Sequence, residues 1–260
     1  MCNNSDVTSK YKKRRIDTVD NQFCIYTLLF LGGFIAAAIS GAAGFGGALL
    51  LLPLLTNTLG TALAVPVLTV AQLIGNISRV YFGFKQVDWK PVKVFVLGAI
   101  PMAILGSFSF VTAPKELITR LVGLAIIAFV VLKQFNILKF QPNDKIVFLG
   151  GCITGLISGL VGSAGPIGAA LFLSLGLPPV SYIASEATTA VAMHITKIVI
   201  YQKFLDIGLK GFEIGLFVGV AMILGTWAGK KTIEKLPKER FIKFVGVLLI
   251  LIGLHMLIWG

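Results

Sequence analysis

From Phe23 to Trp259 the chain repeatedly runs for about 17 or more residues with little or no charge, the length needed to cross a hydrocarbon core of about 30 Å. A segment in lipid must satisfy its own backbone, which leaves helices or a closed barrel. Barrel strands would alternate polar and apolar residues over short stretches, and none of these Leu/Ile/Val/Gly runs alternates. The expected fold is all-α, a polytopic transmembrane helical protein. Composition agrees: 56% hydrophobic and 13% charged residues, with a mean hydropathy of +0.91, is more apolar surface than a soluble core can hide.

The chain reads as two tandem copies of one unit. Phe30-Leu31-Gly32-Gly33 returns 118 residues later as Phe148-Leu149-Gly150-Gly151, Ile39-Ser40-Gly41 as Ile157-Ser158-Gly159, and Asp88 as Asp206. After an offset drift, Pro114-Lys115-Glu116 answers Pro237-Lys238-Glu239. Shared Leu and Gly bias does not produce an ordered series that includes Phe, Ser, Asp, Pro, Lys and Glu. The organisation expected is a basic tail over 1–22, a first repeat over 23–135, a connector over 136–145 and a second repeat over 146–260. Each repeat has four to five segments, with glycine-rich broken helices. The segments are expected at 24–43, 46–59, 62–84, 91–112 and 117–134, then at 146–162, 165–176, 180–203, 209–229 and 239–259. Whether the short pieces cross decides between parallel and inverted repeats. The loop charges are divided and leave both open.

A net charge of +12 could indicate a nucleic-acid partner, but the basic residues sit mainly in short connectors, the ordinary mark of membrane orientation. Lys10, Lys12, Lys13, Arg14 and Arg15 precede the first span and suit an anionic leaflet. The expected partners are the lipid bilayer and a small anion, with a homo-oligomer open and no nucleic acid. The first apolar run is long and lacks a cleavage site, so it reads as a retained span. Cys2, Cys24 and Cys152 have neither metal nor redox spacing. No nucleophile elbow, metalloprotease helix or phosphate loop occurs, so no enzyme, metal or cofactor is expected.

The chemistry is expected at the two glycine-rich breaks, Gly41-Ala42-Ala43-Gly44-Phe45-Gly46-Gly47 and Gly159-Leu160-Val161-Gly162-Ser163-Ala164-Gly165-Pro166. Glycines there can serve close helix packing alone. Their occurrence at matching points favours paired broken helices, which are tolerated at membrane depth only where buried or lining a cavity. A helix restarting after such a break offers unpaired N–H groups and a positive dipole end to an anion. Gly44, Gly46, Gly47, Gly162, Ser163 and Gly165 are therefore candidate binding positions.

Ionisable residues in apolar spans are the second signal. Glu186, Thr189, His194 and Lys197 lie in one segment, and subtracting 118 places His194 on Asn76 and Lys197 on Arg79. Each half then presents a polar residue and, three positions on, a cation on the same helix side. Arg79 could grip two oxygens of an oxyanion while Lys197 supplies a point charge; snorkelling to the interface is the bland alternative. Glu186 and His194 are candidates for proton coupling. Asp88 and Asp206 read as capping or turn residues, and Trp89, Trp227 and Trp259 as interfacial.

Gly46-Gly47-Ala48-Leu49-Leu50-Leu51-Leu52-Pro53-Leu54-Leu55, the partner break from Gly159 to Pro166 and the Leu175-Gly176-Leu177-Pro178-Pro179 turn, together with the duplication, resemble the TauE/SafE family of sulfite and organosulfonate exporter-like permeases. The resemblance implies a multi-pass permease of the bacterial inner (cytoplasmic) membrane that moves sulfite, an organosulfonate or a related sulfur-containing anion. Phe45 and Ala48, and Glu186 with His194 and Lys197, depart from the family pattern. Alternating access is the expected mechanism; a passive anion channel and a non-transporting scaffold are the alternatives.

Overall fold

The computed structural model describes residues 24–38, 47–134, 143–205 and 207–232, with 250–251, 254 and 257–258. These residues form helices with no strand among them. In chain order they are α1 (Cys24–Ala38), α2 (Gly47–Leu59), α3 (Thr61–Gly83), α4 (Trp89–Thr112), α5 (Lys115–Gln134), α6 (Asp144–Val161), α7 (Gly165–Ser174), α8 (Pro179–Leu205) and α9 (Gly208–Thr232). Parts of α3, α4, α6, α8 and α9 are long and apolar enough to cross a membrane. The segment expected at 24–43 is helical over 24–38, with 39–46 outside the described residues, as is nearly all of 239–259.

Local chemistry sets the helix ends. Asp88 caps α4, its Oδ1 accepting from Lys90 N at 3.2 Å, so it serves as the cap expected of it. Asn143 caps α6 in the same way, accepting from Ile146 N at 2.9 Å. Helix α6 stops at Gly162, whose φ of 89° is left-handed, and Gly162 N closes the last turn on Ser158 O at 2.9 Å. A side chain there would be strained and would also press on Val65.

Small residues bring the helices together. A Cβ on Gly151 would strike the Phe95 carbonyl, one on Gly155 the Ala99 carbonyl, and one on Gly159 the Ala103 carbonyl. Both helices advance four residues at each step, so α4 and α6 run in the same direction at backbone contact. Their N-terminal ends also meet, Lys90 Nζ lying 3.6 Å from Asp144 Oδ2. Lipid tails are as apolar as these side chains, so the seam is held by dispersion between closely approaching backbones. Outward-facing Leu97, Val199 and Leu209 are 68%, 62% and 78% exposed, as a lipid-facing surface requires.

The same logic gives the other directions. Gly211 meets Leu63, Gly215 meets Val67 and Val70, and Gly219 meets Ile74, so α3 and α9 run the same way. Asp88 N donates to Ser185 Oγ at one end of α4 and α8, and Phe108 packs on Phe204 at the other, so these two also run together. Helix α3 is antiparallel to α8, because Gly83 near the end of α3 meets Val180 and Ala184 near the start of α8. Along α1 and α9, Phe217 packs on Tyr26 and Phe30, Gly33 faces Val218 and Ala221, and Gly225 abuts the Phe34 carbonyl. That pair is parallel too.

Helices α6 and α7 form an antiparallel hairpin, with Gly150 against Leu171 and Gly168 against Thr154. Its apex is 162–164. The 10 residues of α7 rise about 15 Å, half the hydrocarbon thickness, so the hairpin enters the bundle and returns. In the other half, Gly32 of α1 lies against Leu51 and Leu54 of α2.

Candidate functional site

The hairpin apex, the start of α2 and the middles of α3 and α8 enclose a cavity of about 40 Å³. A single water needs roughly 10–15 Å³ on this measure, so the space takes about three water-sized groups. Two larger hollows, of about 610 and 410 Å³, lie on the outer surface. They are lined mainly by residues such as Ile77, Tyr81 and Phe84, or Phe30, Leu31 and Phe217, and offer little polar chemistry. The small central cavity carries the polar groups.

Most of the expected residues meet there. Gly47 with Ala48 in the first described turn of α2, and Ser163, Ala164 and Gly165 leading into the N-terminus of α7, face one space. Asn76 and Arg79 line it from α3, and Glu186, Thr189 and His194 from α8. Asn76 directs one amide hydrogen to Gln72 O at 2.8 Å, and Thr189 Oγ1 donates to Glu186 O at 2.7 Å. The Arg79 guanidinium acts electrostatically on Glu186, Tyr182 and His194. Gly44 and Gly46 lie outside the described residues.

Lys197 does not line the cavity. It is fully buried, and its Nζ donates to Ser158 Oγ at 2.9 Å, to Gly162 O at 2.9 Å and, more weakly, to Ser158 O at 3.4 Å. One turn further along α8, Tyr201 Oη donates to Gly159 O at 2.7 Å. Gly159 O and Gly162 O stand at the end of α6, where carbonyls lack helical partners, whereas Ser158 O already accepts from Gly162 N. Lys197 and Tyr201 therefore clamp the hairpin apex to α8, and neither the matched-cation arrangement nor snorkelling describes Lys197.

The cavity also holds Gln72 and Thr154, which the sequence reading passed over. Gln72 Nε2, Thr154 Oγ1 and His194 Nδ1 are buried polar atoms without a hydrogen-bond partner among the described residues, and all three residues line the cavity. Buried polar groups are seldom left so, which makes these three a demand for a ligand or water. The signal for Gln72 was available: it stands four residues before Asn76, on the same face of α3. Among the described residues no group of three or more His, Cys, Asp or Glu could hold a metal ion.

A family profile described as sulfite exporter TauE/SafE matches residues 29–256. The chain belongs to the TauE/SafE family. As a TauE/SafE protein it is a multi-pass membrane transporter, in keeping with its apolar helices. It is 25% identical over 259 residues to a probable membrane transporter protein of Methanocaldococcus jannaschii, covering 89% of this chain and 95% of that one. No solved structure matches this TauE/SafE chain.

Proposed function

We propose that this transporter carries a small oxyanion, sulfite first among the candidates, across the cytoplasmic membrane by alternating access. The observation that carries the reading is the central cavity, where the N-terminus of α7, the first described turn of α2, Arg79 and the unpartnered Gln72 Nε2, Thr154 Oγ1 and His194 Nδ1 converge. N–H groups and a guanidinium can replace the water that an oxyanion leaves behind. A volume of about 40 Å³ suits a three-oxygen anion better than a sulfonate with an organic chain. The family description, sulfite exporter, points the same way.

Alternating access is supported by the helix directions. Pairing α1 with α6, α3 with α8 and α4 with α9 turns the α4–α6 seam into the α1–α9 seam and the α3–α9 contact into the α4–α8 contact. Each paired helix runs opposite to its counterpart, as inverted repeats require. In this reading the chain is two inverted copies that rock about the cavity, alternately opening it to each side.

Labelled sulfite flux in proteoliposomes tests the proposal. Saturable uptake above protein-free vesicles is expected, together with its loss in Arg79→Gln. Absence of flux in the folded wild-type protein would refute the sulfite assignment.

A further inference from the structure

Glu186 is the one carboxylate among the described residues lining the cavity, and Arg79 is the one permanent cation. The Glu186 side chain is more than nine-tenths buried, and a Cβ on Gly168 of α7 would lie 4.0 Å from its Oε1. Among the described residues no donor hydrogen-bonds its carboxyl; the Thr189 hydroxyl goes to the Glu186 backbone oxygen. The other charged or titratable groups around it are few. Tyr182 and His194 share its helix, Lys197 is committed to Ser158 and Gly162, and Arg79 lines the same cavity from α3. From α4, Asp88 is bonded through its backbone to Ser185, the neighbour of Glu186. Helices α2 and α7 contain no titratable side chain, and the α6 residues at the cavity, Thr154 and Ser158, are neutral.

An anion in so small a space cannot sit against Arg79 and away from Glu186. Two negative charges a few ångström apart in a poorly screened interior weaken binding by roughly 100-fold or more. We propose that Glu186 is a proton site loaded together with the anion: the cavity accepts an anion with Glu186 protonated, and one proton accompanies each monoanion across the membrane. When the anion leaves, the proton leaves with it, and the Glu186 carboxylate takes over as the counter-charge to Arg79. The cycle is then an electroneutral proton–anion symport. This inference rests on the transport reading above and adds its coupling.

The test is calorimetric titration of the full-length purified protein with sulfite in two buffers of different protonation enthalpy, which counts protons taken up per anion bound. Sulfite exchanges the same protons with buffer whichever protein binds it, so its own chemistry cancels between wild type and Glu186→Gln. The wild type is expected to take up about one proton more per anion than the variant; equal counts overturn the proposal.

A second measurement needs no variant. At mildly acidic pH, where the probe is the hydrogen sulfite monoanion, wild-type flux in proteoliposomes is recorded under inside-positive and inside-negative potentials. Electroneutral coupling predicts the same rate under both. A several-fold change with the sign of the potential overturns the coupling while leaving the transport reading intact. Failure of the wild type to bind or move sulfite overturns both.

Discussion

Replacing Lys197 by Met keeps the length and bulk of the side chain and deletes the donors that hold the apex of the α6–α7 hairpin. Two short hydrogen bonds, to Ser158 Oγ and Gly162 O at 2.9 Å each, are lost along with the weaker one at 3.4 Å. Each short bond is worth about 1 kcal/mol, and a buried carbonyl left without a partner costs about 1–3 kcal/mol more. The expected destabilisation is about 3 kcal/mol, a fall in Tm of about 6–12 °C by the scaling for chains of this size. Tyr201→Phe removes one bond of the same clamp and leaves Gly159 O without a partner, about 2 kcal/mol by the same reasoning, and should lower Tm by about 4–8 °C. The assay is thermal unfolding of the detergent-solubilised protein, with the exposed Lys210→Gln as control. If Lys197→Met unfolds within about a degree of the control while sulfite affinity collapses, Lys197 is a ligand and the clamp is wrong.

Gly155→Ala would drive a methyl into the Ala99 backbone and part the α4–α6 seam, costing about 1–3 kcal/mol in the same unfolding assay. Gly168→Ala is its counterpart: the added carbon meets Thr154 Cγ2 at 3.6 Å and Phe95 Cζ at 3.7 Å, ordinary contacts. Stability should hold there, while sulfite affinity, read by calorimetry, falls because the methyl enters the space beside Glu186. Gly162→Ala should lower stability by about 1–2 kcal/mol from its left-handed backbone alone, with the Val65 clash added. Arg79→Gln should weaken sulfite binding about 100-fold or more, and Arg79→Lys by less, since Lys keeps the charge and loses the fork.

Much of the helix layout was legible because its punctuation is chemical. Glycines at Gly162 and Gly165, with Pro166 in the first turn of α7, announce a break, and α6 and α7 fall at 144–161 and 165–174 against an expected 146–162 and 165–176. Asp88 was readable as a cap from its place between two spans. Helix direction was not legible, because it depends on contacts such as Gly215 with Val70 that join distant parts of the chain. Arg79, Glu186 and His194 were found because a Glu, His or Arg in an apolar span stands out, and Gly47, Ser163 and Gly165 because they sit at the glycine-rich breaks. Thr154 did not, since threonines such as Thr69, Thr188 and Thr196 simply bond to the carbonyl four residues back. Lys197 was found for the right reason and given the wrong neighbours: one cation in a span reads the same whether it faces an anion or a set of helix carbonyls.

The most direct test of the central cavity is cysteine accessibility at Ser163. It lies at the apex between α6 and α7, buried and lining the cavity. With Cys2, Cys24 and Cys152 replaced by Ala, Ser163→Cys is treated in proteoliposomes with a charged, membrane-impermeant thiol reagent applied from each side in turn, with and without sulfite. A cavity that opens alternately to both sides and binds the anion predicts reaction from either side and slowing by sulfite in both cases. Reaction confined to one side, or a rate indifferent to sulfite, would contradict it.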